Sequence, residues 1–173
     1  SVLENSCVSQ IENEKFSNGY FLKLRNIGEF AEQLLSDYDI RVGNIKAKVK
    51  TMSGGNKQKL VVARELNQKK PLVIVENPTW GVDIGAINKI HQELIGMRDM
   101  GHAILLVSNE LEEIMALSDR IHVMANGQLS EPLSSANVTA NKLGELMLSH
   151  NEPSISKNQK QYSPANLGLF DDL

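Results

Sequence analysis

The sequence predicts an α/β fold: a mostly parallel sheet with a helical subdomain at the N-terminus. Three observations point there. Leu72-Val73-Ile74-Val75 and Ala103-Ile104-Leu105-Leu106-Val107 are short, unbroken apolar runs. Such runs read as parallel strands covered on both faces. Between them, Ile84, Ile87, Ile90, Leu94 and Met97 fall at helical spacing. Strand, helix, strand at this spacing predicts a βαβ unit with a right-handed crossover. The first third of the chain instead carries helical spacing, at Ile27, Phe30, Ala31, Leu34 and Leu35, and is poor in strand runs.

With 173 residues the chain is long enough for one domain with a real core. Hydrophobic residues make up 41 % and charged residues 23 %, the balance of a soluble globular protein. A net charge of -3 gives no broad electrostatic pull towards nucleic acid. Cys7 is the only cysteine, which excludes an intrachain disulfide and a cysteine metal cluster and fits a reducing, cytoplasmic setting. No apolar run approaches the ~18 residues of a membrane span, and no signal-peptide pattern is present. The sequence begins at Ser1 in what reads as structured chain, as a fragment of a longer protein would.

In chain order, Ser1 to Asn5 opens a short helix, and Asn18-Gly19 marks a turn. A helix follows over 27–38. Asp39-Ile40-Arg41-Val42 reads as a short extended segment, closed by Gly43-Asn44. Lys46, Lys48 and Lys50 form a solvated basic face. Ser53 caps a helix that runs to about Asn67, and Pro71 opens the first strand. Asp83 caps the next helix and Gly101 stops it. A further helix starts at Asn109, with Glu112 placed for a capping box, and runs to Leu117. Asp119 to Met124 reads as a third strand, turned by Asn126-Gly127 into Gln128-Leu129. Asn141 to Leu148 is a final helix. From Asn151 the composition shifts to Ser, Asn, Gln, Lys and Pro. The expected organisation is therefore a partial helical subdomain over 1–50, a core over 51–130, a helical extension over 131–150 and a disordered tail over 151–173.

The chemistry concentrates at Thr51-Met52-Ser53-Gly54-Gly55-Asn56-Lys57-Gln58-Lys59. A capping serine, two glycines without Cβ atoms and a helix N-terminus together suit an anion. His91, His102, His122 and His150 are too scattered for a metal site. Trp80 is expected to pack against its own fold, and Glu112 and Glu113 to form a solvated pair at a first turn.

One element later comes Pro78-Thr79-Trp80-Gly81-Val82-Asp83, directly after the first apolar run. In this order the motifs resemble the nucleotide-binding domains of ABC transporters. Met52 to Gln58 looks like the signature motif, in the Gly-Gly-Asn-x-Gln form of simple-sugar and nucleoside importers. Leu72 to Asn77 lies where that family has its Walker B strand, and Gly81-Val82-Asp83 resembles the D-loop. Val107-Ser108-Asn109-Glu110 lies where the family has its switch histidine. Gly85-Ala86-Ile87 and Ile90-His91 are similar to the second ATPase domain of nucleoside-type importers. The resemblance runs over residues 1 to about 130. It implies a partial P-loop NTPase fold and a chain from the C-terminal part of that second domain. It further implies ATP and Mg²⁺ in the full-length assembly, a second ATP-binding domain packed head to tail, permease subunits, and a location on the inner face of the cell membrane without insertion.

The sequence departs from the family at three places. No Gly-x-x-x-x-Gly-Lys-Ser/Thr occurs, so the phosphate-cradling Walker A loop is expected in a preceding portion. The isolated chain is accordingly expected to hold no cofactor and to hydrolyse no ATP. Where the family has Asp-Glu before Pro-Thr, this chain has Glu76-Asn77; Glu76 retains a carboxylate for a metal-bound water, and Asn77 cannot serve as a base. Asn109 replaces the histidine, either as a hydrogen-bonding substitute or as a plain helix N-cap. Taken together, the resemblance implies that Glu76, Asn77 and Asn109 make a degenerate half-site. Ser53, Gly54, Gly55, Asn56 and Asp83 would act in trans, on a nucleotide held by the partner. The alternative is a pseudo-ATPase used as an interaction module.

Overall fold

The computed structural model describes residues 1–148. The expected tail over 151–173 and His150 lie outside the described residues. Ser1 caps α1 (Val2–Cys7) through a full capping box with Glu4. A 3-10 turn follows at Val8–Gln10, and a tight turn at Asn18 leads to α2 (Leu24–Asp37). The segment expected to be extended at 39–42 forms no strand: Asp39 takes a positive φ of 45° at the end of α2, and the chain runs irregularly to a 3-10 turn at Val49–Thr51. Lys46, Lys48 and Lys50 are exposed, as expected.

Helix α3 (Gly54–Leu66) is shared by two apolar clusters. Leu60 and Ala63 face Val2, Leu34, Leu35, Tyr38, Ile40 and Met52 on the helical side. Val62 and Leu66 face Val73, Ile90, Leu94 and Met97 on the strand side. The Cys7 thiol is buried against Phe16 and Ile27, and burial raises its pKa, so it is packing rather than a nucleophile.

Strands β1 (Leu72–Glu76) and β2 (Ala103–Val107) pair in parallel, in register from Leu72–Ala103 to Glu76–Val107. Helix α4 (Ile84–Asp99) connects them. The expectation that both strand faces are covered needs correction. Val73, Val75, Ile104 and Leu106 face inwards, but Leu72, Ile74, Leu105 and Val107 are exposed, Ile74 by 65 %. α3 and α4 supply apolar partners on one side, and no described element lies over the other. The α4 stripe also differs from the expected one: Ile84 is exposed, and Ala86 is buried in its place.

Helix α5 (Leu111–Leu117) begins two residues later than expected, after Glu110 rather than Asn109, and Glu110 makes no side-chain cap. The expected single strand over 119–124 is broken in two. β3 (Arg120–Ile121) pairs antiparallel with β6 (Leu133–Ser134), and β4 (Met124–Ala125) with β5 (Gln128–Leu129). Asn126 and Gly127 both have positive φ, 51° and 76°, as the expected Asn-Gly hairpin requires. Helix α6 (Ala140–Leu148) seals Ile121 and Val123 with Leu143.

Candidate functional site

Ser53 caps α3: its Oγ accepts from the Asn56 N–H at 3.4 Å and from Asn56 Nδ2 at 3.0 Å. Ser53 Oγ donates to no partner among the described residues. The first-turn N–H groups of a helix lack intrahelical acceptors, and they carry its positive end. A cleft of about 420 Å³ opens here, lined by Arg41, Ser53, Gly55, Asn56, Lys59, Gly81, Val82 and Asp83.

The two glycines differ in what they do. A Cβ on Gly54 would meet nothing within 4 Å, so that position leaves the backbone open to a ligand. A Cβ on Gly55 would stand 2.8 Å from the Gly81 carbonyl oxygen. Gly55 is therefore required by the close approach of the 77–83 loop. Sequence reading assigned both glycines to an anion; the structure gives Gly55 a packing reason of its own and leaves the space beside Gly54 open.

Asn56 is engaged on both ends. Besides Ser53, its Oδ1 accepts from the Arg41 N–H at 2.9 Å, which brings the 39–42 segment to the cleft. Asp83 caps α4 by accepting from the Ala86 N–H at 3.0 Å. Its other oxygen takes the Lys59 ammonium at 2.7 Å. The Lys59 hydrogen bond, followed by the Ala86 N–H, holds the Asp83 carboxyl below its ordinary range. Lys59 is buried, only 4 % exposed, and also donates to the Asp39 carbonyl at 3.1 Å. Sequence reading did not assign Lys59 a role. Its signal was periodicity: positions 59, 62, 63 and 66 share one helix face, and the other three are apolar and buried.

The second group lies at the strand ends. Asn77 takes a left-handed backbone, φ 43°, which Asn tolerates better than most residues. Its N–H bonds to the Val107 carbonyl at 2.8 Å, and its Oδ1 accepts from the Asn109 N–H at 3.2 Å. The structure thus brings Asn77 and Asn109 together, through backbone donors rather than towards a ligand. The N-cap reading of Asn109 is overturned, since α5 starts after Glu110. Glu76 ends β1 with an exposed side chain. No group of three or more His, Cys, Asp or Glu among the described residues is arranged to hold a metal. One exposed carboxylate does not make a Mg²⁺ site, so the residues present do not fit that ion by themselves.

Gln58 connects the two groups, donating to the Asn77 and Pro78 carbonyls at 3.2 Å each. Two further expectations are corrected. Trp80 does not pack on its own fold but stands 77 % exposed beside the cleft-lining Gly81. Glu113 is not solvated: it is 4 % exposed and bonded to Thr79 and His91, while Glu112 is exposed as expected. His102 and His122 face the Lys70 and Ser130 carbonyls instead of a shared ligand.

No protein-family model matches the chain. Among curated proteins it is 38 % identical to the nucleoside import ATP-binding protein NupA of Lactococcus lactis, over 87 % of this chain and 30 % of that protein. It is 40 % identical to the guanosine import ATP-binding protein NupO of Bacillus subtilis, over 73 % of this chain and 25 % of that one. The chain thus spans under a third of the length of these relatives. Among solved structures, an ATP-binding subunit of an ABC transporter matches with a TM-score of 0.67 at 17 % identity, covering 86 % of this chain and 62 % of that one. A dimeric ATP-binding cassette in a post-hydrolysis state with ADP and Pi gives 0.64 at 20 % identity, over 78 % and 56 %. No helix among the described residues is long and apolar enough to cross a membrane. The fold is that of the P-loop ATPase cassettes, the motif order is theirs, and the sequence relatives are ABC ATP-binding proteins: the chain belongs to that family.

Proposed function

We propose that this chain is the signature-bearing part of the motor subunit of an ABC importer for nucleosides or simple sugars. The observation that carries the reading is the open edge at the start of α3. Ser53 Oγ holds two donors and keeps its proton free to give. Gly54 leaves the backbone uncovered, and the cleft beside them is lined by Arg41 and Lys59. Such an edge suits phosphate, yet the chain contains no loop of the Walker A pattern to hold one. The phosphate is therefore presented by a partner ATP-binding domain packed head to tail, and Ser53, Gly54, Gly55, Asn56 and Asp83 face it in trans.

ATP would supply the phosphate charge and, with Mg²⁺ bound on the partner's side, the bond that is broken. This chain's residues orient and hold. Ser53 donates to an anion, the α3 N-terminus adds partial positive charge, and Gly55 and Lys59 set the distance to Asp83. At the strand ends Asn77 offers no carboxylate, and its amide oxygen is already taken by Asn109. That half-site turns over poorly. The pair of sites is asymmetric, one completed by this chain and one degraded within it. The names of NupA and NupO support nucleosides as cargo. In this reading the subunit sits on the inner face of the cell membrane, bound to permease subunits.

The test uses the longer protein that carries a phosphate loop. Ser53→Ala should depress ATP hydrolysis strongly, and Asn77→Ala should leave it nearly unchanged. Loss of hydrolysis in Asn77→Ala with full activity in Ser53→Ala would sink the proposal. Tight ATP binding by the 173-residue chain alone would also count against it.

A further inference from the structure

Glu113 is the most buried carboxylate among the described residues, and neither the trans edge nor the strand-end half-site uses it. Its Oε1 accepts from Thr79 Oγ1 at 2.9 Å and lies 3.1 Å from His91 Nε2. The other oxygen, Oε2, is buried without a protein partner. A leucine could fill the space but would strip the Thr79 hydroxyl and His91 Nε2 of their partner, so the carboxylate is there for what it bonds rather than for its shape.

The three residues come from three elements. Thr79 lies on the loop between β1 and α4, His91 two turns into α4, and Glu113 on α5. The same loop is tied at one end to Asn109, through Asn77 Oδ1, and at the other to Lys59, through Asp83. Asn109 stands just before α5. One carboxylate oxygen thus clamps α5 to the loop that carries Asp83.

We propose that Glu113 is a positioning residue that locks α5 to the 78–83 loop, so that the strand-end segment at Asn109 and the cleft-lining Asp83 move as one body. Its functional meaning, communication between a nucleotide's own half-site and the trans edge, rests on the importer reading above. The coupling itself does not.

The experiment follows the Asp83 carboxylate by carbon-13 NMR titration in the 173-residue chain. Asp83 does not touch Glu113, so a merely local packing role would leave its midpoint in place. Lys59→Met, which removes the direct partner, is the control that shows how far the midpoint can rise. Glu113→Leu should raise the Asp83 midpoint by about 0.5, roughly a threefold change in proton affinity. Glu113→Gln, which still accepts from Thr79, should restore most of the native value. Thr79→Val removes the donor without touching the carboxylate and should raise the midpoint as Glu113→Leu does, which keeps the test decisive if the leucine variant fails to fold. An unchanged Asp83 midpoint in folded Thr79→Val or Glu113→Leu overturns the proposal. Because no ATP is involved, failure of the importer reading leaves this outcome unaffected.

Discussion

At the Asp83 end of the 77–83 loop, structural bonds stop short of closing the site. Lys59 and the Ala86 N–H take the carboxylate, but Ser53 Oγ donates to no described partner and Gly54 leaves its backbone uncovered. At the Asn77 end, the polar side chain is spent on the Asn109 backbone, and its backbone sits in a left-handed conformation. Asp83 and Asn77 stand six residues apart on one loop, and in the proposed reading the first borders an edge that meets a partner while the second holds the chain to itself. The contrast teaches that similar polar residues on one loop differ in what their bonds leave open, which residue type alone does not disclose.

The largest effect that would sharpen the contrast is on turnover. In the longer protein, Ser53→Ala should cost roughly 10²-fold or more in ATP hydrolysis, the usual loss for one donor to developing charge. Asn77→Ala should stay within about threefold, since no base is removed. Steady-state phosphate release measures both. Next is stability. Gly55→Ala drives a Cβ into the Gly81 carbonyl and should destabilise the chain by about 1–3 kcal/mol in urea unfolding. Gly54→Ala meets open space and should be neutral or stabilising by about 0.5 kcal/mol. Equal costs at the two glycines would break the distinction drawn between them. A smaller effect belongs to Asn77: Asn77→Val should cost about 1–2 kcal/mol from its positive φ, and Asn77→Gly less.

The smallest effect is on pH dependence. Asp83 has its folded pKa lowered, by Lys59 first. A group depressed on folding contributes stability that is present above its unfolded pKa and lost as pH falls through the folded one. Native chain should therefore lose stability on acidification below the ordinary carboxylate range. Lys59→Met should flatten that part of the urea-midpoint profile. An unchanged acid limb would show that the Lys59–Asp83 pair is screened by solvent to no effect.

Much of the fold was legible because it is periodic. α3, α4, the parallel strand pair and the Asn-Gly hairpin follow from spacing, caps and turn residues. Of the residues singled out from the order of motifs, Ser53, Gly55, Asn56 and Asp83 line one cleft together. What escaped was set by distant partners. Glu113 read as a solvated charge and Lys59 as having no particular role; each is buried and bonded to a residue from another part of the chain, Thr79 and Asp83 respectively. Gly55 could not be separated from Gly54 without the Gly81 carbonyl. Ile84 and the outward strand residues read as core because an apolar residue carries no mark of which neighbour covers it. The 119–124 strand broke because its two halves pair with different partners, β6 and β5.

The uncovered face of β1 and β2 has a thermal consequence. Apolar area that stays wet in the native state adds nothing to the heat capacity of unfolding, which ordinarily reaches ~12–15 cal/mol/K per residue. With Leu72, Ile74, Leu105 and Val107 already hydrated, this chain should fall below that range. Its stability should then vary more gently with temperature, and cold should weaken it less. Any polypeptide that settles on those four side chains would steepen the curve, and a calorimeter would register the cover before a microscope saw it.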